Sequence, residues 1–288
     1  MLKNIALIGS GHIARDLYRK INNDSHLNLY LVAGRNCESN GMIEAKSFSE
    51  NVSDKGIKEI QKKSNQIKVV IDCSSAESHI LHSMTLAQYN IPVIDLTPSG
   101  IGKKIVPSVN LDDSRNCQNI NLISCGGQSS IPILHTWSSK LIEEGIKLKY
   151  VEIASSISTK SAGMATRRNI DSYIKNTENA IKEFCGCEAK VILNVNPAVP
   201  PITMKTSFSA LIEDKKIINY DWESLTSFTE RSIQKYVPGY RIIVKPRLID
   251  NNRLFASAEI RGKGDYLPSY SGNLDIITSA AIEVAKIL

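Results

Sequence analysis

The sequence predicts an α/β chain in two parts, a parallel-sheet domain followed by an α+β domain with an antiparallel sheet. Three observations carry this prediction. The apolar run Asn4–Ile8 leads straight into Gly9-Ser-Gly11-His-Ile-Ala14 and then into a helix-spaced stretch. Short apolar runs of strand length then alternate with helical ones as far as residue 123, the pattern of a parallel sheet. Beyond that point, longer stretches with period-two alternation take over. The expected division places 1–130 in the first domain and 131–271 in the second, with a helix over 272–288 packing back on the first.

The elements follow in order. After the first strand, Ile13, Leu17 and Ile21 share one helix face. The glycines between strand and helix form the G-x-G-x-x-A fingerprint in its proper setting, where backbone can approach a pyrophosphate and the helix N-terminus stabilises its charge. This makes Gly9, Ser10, Gly11, His12 and Ile13 candidate cofactor-binding residues. The second strand is Leu27–Ala33, and it ends at Gly34-Arg35-Asn36 with no acid before Glu38. In the NAD pattern an acid there holds the ribose hydroxyls, so Arg35 is placed to meet adenine or a 2′-phosphate, and NADP is allowed beside NAD. Strands follow at 67–72 and 91–96, with a helix over 80–89. Ser74, Ser75, Thr97 and Pro98 stand at strand ends, where ligands of such sheets bind.

The stretch Ile120-Asn-Leu-Ile-Ser-Cys-Gly-Gly-Gln-Ser-Ser-Ile-Pro132 holds the candidate nucleophile. It reads as a strand ending at Cys125, a turn at Gly126-Gly127, and a helix capped by Ser129 or Ser130 with Pro132 in its first turn. A cysteine at a strand-to-helix junction is expected to have a lowered thiol pKa, because backbone N–H groups and the helix dipole favour the thiolate. A buried structural cysteine is the alternative. The Gln128 side chain is a candidate oxyanion donor. Further on, strands are expected at 147–158, 190–195, 206–213, 241–249 and 253–261, and helices up to residue 184, over 222–236 and over 272–288.

Composition narrows the class. Apolar residues make up 42% and charged residues 22%, the balance of a globular soluble protein. The net charge, 35 − 29 = +6, is spread along the chain without a basic block, and no nucleic-acid motif is present. No apolar run has transmembrane length and residues 1–8 do not read as a signal peptide, so the expected location is cytoplasmic. Six cysteines at irregular spacing do not form a disulfide framework, and Cys185-Gly-Cys187 lacks the second ligand pair of a zinc site, so no metal is expected.

Taken together, the motifs resemble those of a known family, the acylating acetaldehyde dehydrogenases. The resemblance runs along nearly the whole chain. It is carried by Ile-Gly-Ser-Gly-His-Ile (8–13), Ile-Asp-Leu-Thr-Pro (94–98), Val-Asn-Leu (109–111), Cys-Gly-Gly-Gln (125–128), Ser-Ile-Ser-Thr-Lys-Ser-Ala-Gly (156–163), Thr-Arg-Arg-Asn-Ile-Asp (166–171), Asn-Pro-Ala-Val-Pro-Pro (196–201), Tyr-Val-Pro-Gly-Tyr-Arg (236–241) and the segment 266–281. The resemblance implies a Rossmann domain followed by a dimerising domain like that of glyceraldehyde-3-phosphate dehydrogenase. It implies that Cys125 carries an acyl thioester, with NAD as cofactor and coenzyme A as acyl acceptor. Cofactor binding is carried onto the glycine turn, onto Ser161, Ala162, Gly163, Met164, Ala165, Thr166, Arg167, Arg168 and Asn169, and onto Asn273. A homodimer and a 4-hydroxy-2-oxovalerate aldolase partner are also implied. Where the family has acids, this chain has Val199 and Thr206, which leaves the general base open. Two other readings remain: a semialdehyde or acyl-phosphate reductase, and a non-catalytic cofactor-binding partner of an aldolase. All five histidines lie at or before residue 135, which counts against the reductase.

Overall fold

The structure is a computed structural model that describes residues 2–213, 220–250 and 252–288, with the backbone alone at Met164 and Ala165. In chain order the first part holds β1 (Lys3–Ile8), α1 (His12–Asn22), β2 (Leu27–Ala33), α2 (Asn40–Ala45), β3 (Val52–Ser53), α3 (Ile57–Lys62), β4 (Val69–Asp72), α4 (Ala76–Ala87), β5 (Val93–Asp95), β6 (Lys103–Lys104), α5 (Pro107–Asn110) and β7 (Asn119–Asn121). There follow α6 (Cys125–Glu143), β8 (Leu148–Ser158), α7 (Met164–Arg168), α8 (Ile170–Cys185), β9 (Glu188–Asn196), β10 (Met204–Ile212), α9 (Trp222–Gln234), β11 (Tyr240–Ile249), β12 (Arg253–Ile260) and α10 (Gly272–Ile287).

The first seven strands form one parallel sheet in the order β3-β2-β1-β4-β5-β7-β6. Successive strands are added outward in one direction from β1 and in the other from β4, so the carboxyl ends of these two parallel strands open a crevice at the switch point of the sheet. Gly9 leaves β1 at φ +113°, and a Cβ there would stand 2.8 Å from the Cys73 carbonyl at the end of β4. Glycine is required on both counts.

The second sheet runs β11-β12-β10-β8-β9. Sequence patterning predicts it antiparallel, and it is mixed: β8 and β9 pair in parallel, while the other pairs are antiparallel. The reason is the connection, since α7 and α8 carry the chain back across to start β9 in the direction of β8. Buried residues alternate with exposed ones along β8 and β10, so one face of this sheet is packed on the helices.

A continuous apolar core joins the two sheets through α6, from Ile5 and Leu7 by way of Trp137 to Phe208 and Ile260. A smaller cluster covers the other face of the first sheet, around Ala6, Leu31, Val70 and Leu86. Helix α10 returns to α1. Lys3 Nζ donates to the carbonyls of Ala285 and Lys286, and Thr278 Oγ1 donates to Asp16 at 2.6 Å. The Lys20 ammonium is nearly buried and pairs with Asp265 and Asp275, each at 2.6 Å, so the segment after β12 is pinned to α1 and α10. Asp16, at 3.3 Å, together with those two carboxylates outweighs the burial and holds Lys20 protonated, above its ordinary range. No helix among the described residues is long and apolar enough to cross a membrane.

The junction at Cys125 differs from the sequence expectation in a telling way. The helix begins at Cys125 itself and its cap is Ser124, whose hydroxyl accepts from Gly127 N–H at 2.9 Å. The turn is made one step earlier, by Ile123 at φ +67°. A β-branched residue in that region is strained. It is held by Asn121 Oδ1, which accepts from Ile123 N–H at 2.8 Å, and by Asn176 Nδ2, which donates to the Ile123 carbonyl at 3.0 Å. Ser129 and Ser130 are not caps; both hydroxyls donate to the Gly126 carbonyl. Pro132 therefore lies inside the helix rather than in its first turn.

Candidate active site

A cavity of about 410 Å³ lies at the carboxyl ends of β1, β4 and β5 and reaches the head of α6. One wall is the glycine turn, with Ser10, Gly11, His12 and Ile13; facing it are Ser161, Gly163, Thr166 and Asn169. The walls meet closely, because a Cβ at Gly163 would lie 3.3 Å from the His12 ring. Cys73, Ser74, Thr97 and Pro98 form the floor, Cys125 and Tyr173 the inner end, and Asn273, Leu274 and Ile277 of α10 close the side.

Each predicted residue can now be placed. Gly9 shapes the turn without lining the cavity. Helix α1 has no side-chain cap and no acid in its first turn, so its leading N–H groups are open to an anion. His12 Nδ1 shares a 3.0 Å hydrogen bond with Tyr266 Oη, and the Arg15 guanidinium lies 4.4 Å above the Tyr266 ring. Ala162 is buried just behind the wall. Arg167 turns back to donate to the carbonyls of Ala162 and Thr159, so its guanidinium serves the loop. Arg35 and Arg168 are exposed and do not line the cavity. The side chains of Met164 and Ala165 lie outside the described residues. Ser75 caps α4 instead of facing the cavity.

Among the described residues, two cavity residues hold buried polar atoms with no protein partner, Asn273 Oδ1 and Thr97 Oγ1. Buried polar atoms are costly to leave unpaired. Both therefore fit a bound group that carries hydrogen-bonding functions, such as a carboxamide.

Gln128 requires a correction. Its side chain is fully buried and does not reach the cavity. Its Nε2 donates to the carbonyls of Ile105 at 2.8 Å and Leu122 at 3.0 Å. Starting the helix at Cys125 turns the fourth residue inward, so Gln128 supports the turn and is not an oxyanion donor.

Cys125 is half-buried on the cavity wall. Its Sγ lies 3.7 Å from Tyr173 Oη, and that oxygen accepts the Gly126 N–H at 2.9 Å. Burial pushes the Cys125 thiol up to about 11, with the Tyr173 hydroxyl and the N–H groups of Gly126 and Cys125 pulling the other way. The expected lowering is thus not found: desolvation outweighs the helix terminus in the free protein.

Behind the cysteine stands a group of hydroxyls. Ser129 Oγ lies 2.9 Å from Thr206 Oγ1, and Ser155 Oγ lies 3.1 Å from the same atom. Ser124 Oγ is 2.7 Å from Thr177 Oγ1. Val199 is 83% exposed and takes no part in this buried group. Beneath the floor lies a buried charged group: Asp72 bonds His79 Nδ1 at 2.9 Å and His82 Nδ1 at 2.8 Å, and Asp95 accepts from Asn121 Nδ2 at 3.0 Å and Thr97 N–H at 2.7 Å.

Sequence reasoning missed several cavity residues, among them Tyr173, Arg15, Leu274 and Ile277. Tyr173 lies on α8, 48 positions after Cys125, and only the fold brings the two together.

Comparison with known proteins bears on the family and the fold. Residues 125–268 match the family model described as prokaryotic acetaldehyde dehydrogenase, dimerisation. A curated acetaldehyde dehydrogenase of Pectobacterium atrosepticum is 42% identical over 287 residues, which span 99% of this chain and 95% of that one. One from Geobacillus thermodenitrificans is 40% identical over 284 residues, 98% of this chain and 94% of that one. Among solved structures, aspartate semialdehyde dehydrogenase II of Vibrio cholerae superposes with a TM-score of 0.67 at 11% identity, over 100% of this chain and 98% of that chain. The Candida albicans aspartate semialdehyde dehydrogenase, solved with NADP, gives a TM-score of 0.67 at 9% identity, over 100% of both chains. These two structures share the fold.

Proposed function

The chain belongs to the acetaldehyde dehydrogenase family, and from that membership we propose that it is a CoA-acylating aldehyde dehydrogenase. It converts acetaldehyde, NAD and coenzyme A to acetyl-CoA and NADH through a thioester on Cys125. The observation that carries this reading is the placement of Cys125 Sγ in the same cavity as the glycine turn. A dinucleotide bound at that turn would share the cavity with the sulfur.

The residues present fit a nicotinamide cofactor. The open N-terminus of α1 suits its pyrophosphate, and Asn273 Oδ1 and Thr97 Oγ1 await polar partners deeper in the cavity. When bound, the cofactor supplies the hydride acceptor. The protein does the rest. Cys125 adds to the aldehyde carbon to give a thiohemiacetal. The Cys125 N–H acts on the sulfur and is a candidate hydrogen-bond donor to the aldehyde oxygen beside it. Loss of hydride from the carbon and of the hydroxyl proton to solvent leaves an acyl thioester on Cys125; the thiol of coenzyme A takes over the acyl group by exchange and Cys125 regains a proton.

No acid stands on the turn after β2, and Arg35 projects there into solvent, which supports use of NADP alongside NAD. The match to a dimerisation family supports a homodimer. A 4-hydroxy-2-oxovalerate aldolase is the partner implied by the resemblance. The division at residues 130 and 271 belongs to the same proposal, with α10 serving the cofactor side.

The test is spectrophotometric. Purified protein is given acetyl-CoA with NADH or, separately, NADPH. Oxidation of reduced cofactor that requires acetyl-CoA and disappears in Cys125→Ser is the expected result. Full oxidation in the serine variant overturns the thioester mechanism.

A further inference from the structure

We propose that Tyr173 is the proton-transfer residue for addition of Cys125 to the aldehyde: its hydroxyl takes the thiol proton while giving its own to the aldehyde oxygen. The proposal rests on the reading of Cys125 as nucleophile. The step balances without any outside base. The S–H bond and the carbonyl π bond break, S–C and O–H bonds form, and tyrosine ends with the hydrogen it began with. No charge is created in the cavity.

Geometry supports each part. Tyr173 Oη is 3.7 Å from the sulfur and lines the cavity that the aldehyde must enter. Its lone pair is anchored by the Gly126 N–H at 2.9 Å, which fixes the oxygen beside the reacting centre. The hydroxyls of Ser155 and Ser124 also stand near it.

Elimination points the same way. Among the described residues no carboxylate lines the cavity; the other titratable groups on its wall are His12, Arg15 and Cys73. His12 is engaged through Nδ1 with the Tyr266 hydroxyl at 3.0 Å, and it is not among the groups that act on the Cys125 sulfur. Arg15 cannot accept a proton. Where an acid belongs in the family pattern, Thr206 contributes a hydroxyl to the group behind Cys125. Burial raises both the Cys125 thiol and the Tyr173 phenol, so each enters the reaction neutral. Exchange of protons between neutral partners avoids the cost of an unpaired buried ion.

The experiment measures the first-turnover rate of NADH formation from acetaldehyde across pH, in wild type, Tyr173→Phe and Cys125→Ser. Tyr173→Phe keeps the ring and removes the hydroxyl. Its rate is expected to fall by about a hundredfold or more, with cofactor affinity unchanged. Its pH profile is the decisive reading. The wild-type rate should be nearly flat around neutrality, whereas the variant must react through thiolate and should rise about tenfold per pH unit. A packing role alone would lower the rate without changing that slope. An unchanged slope, with or without a slower rate, overturns the proposal. If Tyr173→Phe proves unstable by thermal melting, wild type decides: its first turnover must slow in heavy water, and an equal rate there is the contrary result. Activity in Cys125→Ser would remove the nucleophile and the tyrosine together. An inactive Cys125→Ser beside an unaltered Tyr173→Phe removes the tyrosine alone.

Discussion

Cys125 and Cys73 face the same cavity, and each follows the carboxyl end of a strand of the same parallel sheet. Their surroundings are opposite. Cys73 lies over Asp72 and Asp95, and both carboxylates join burial in raising its thiol pKa. Cys125 heads a helix, and the polar groups acting on its sulfur are the Tyr173 hydroxyl, which can donate or accept, and the N–H groups of Gly126 and Cys125. Position in the sheet brings a cysteine to the cavity. The sign of the groups behind it decides whether it can carry negative charge or hand off a proton.

The largest test of this contrast exchanges each sulfur for oxygen. Cys125→Ser should lose turnover by about 10³-fold or more, as removal of a nucleophile does. Cys73→Ser should keep most of its turnover, measured in the same acetyl-CoA-dependent assay. Comparable losses in both would erase the distinction drawn here.

A smaller effect is expected at Gly126. A Cβ there would overlap the Tyr173 hydroxyl and lie 3.0 Å from Ser155 Oγ. Gly126→Ala should therefore move the tyrosine off the sulfur, slowing the first turnover and lowering stability by about 1–3 kcal/mol on denaturant titration. Wild-type rates in this variant would mean that the tyrosine contact is dispensable.

The smallest and sharpest effect concerns pH. With the Cys125 thiol near 11, thiolate is scarce at neutrality and grows as pH rises toward that value. Alkylation of Cys125 by iodoacetamide in the cofactor-free protein should climb about tenfold per unit between roughly pH 7 and 10, and should stay ahead of Cys73 throughout. A plateau already reached at pH 8 would show that the helix terminus outweighs burial after all.

Much of this was legible in the chain. The glycine fingerprint reports its own geometry, because a positive φ and a close backbone approach leave a residue signature at Gly9. Cys125 announced itself by standing between an apolar run and two glycines. The details of the turn did not. Pro132 suggested a helix start nearby, whereas Ser124 was in fact the cap and Ile123 took the strained backbone on the strength of Asn121 and Asn176. Asn176 is 53 residues away from Ile123, and Tyr173 is 48 from Cys125. Neither distance has a local signal, since each contact exists only once α8 packs on α6. Gln128 was misread for the same reason: a helix that starts a few residues earlier rotates each of its side chains to a new face.

The return of α10 to the first sheet has a consequence for how the protein is made. Residues 9–14 leave the ribosome early, yet Asn273, Leu274 and Ile277 complete the wall opposite them. A nascent chain therefore carries the phosphate-binding turn through most of its synthesis without an enclosed cleft. Ligand binding can add to stability only after that helix has docked. Until then the growing polypeptide must hold its first sheet together by its own apolar core, the cluster around Ala6, Leu31 and Val70 among its resources.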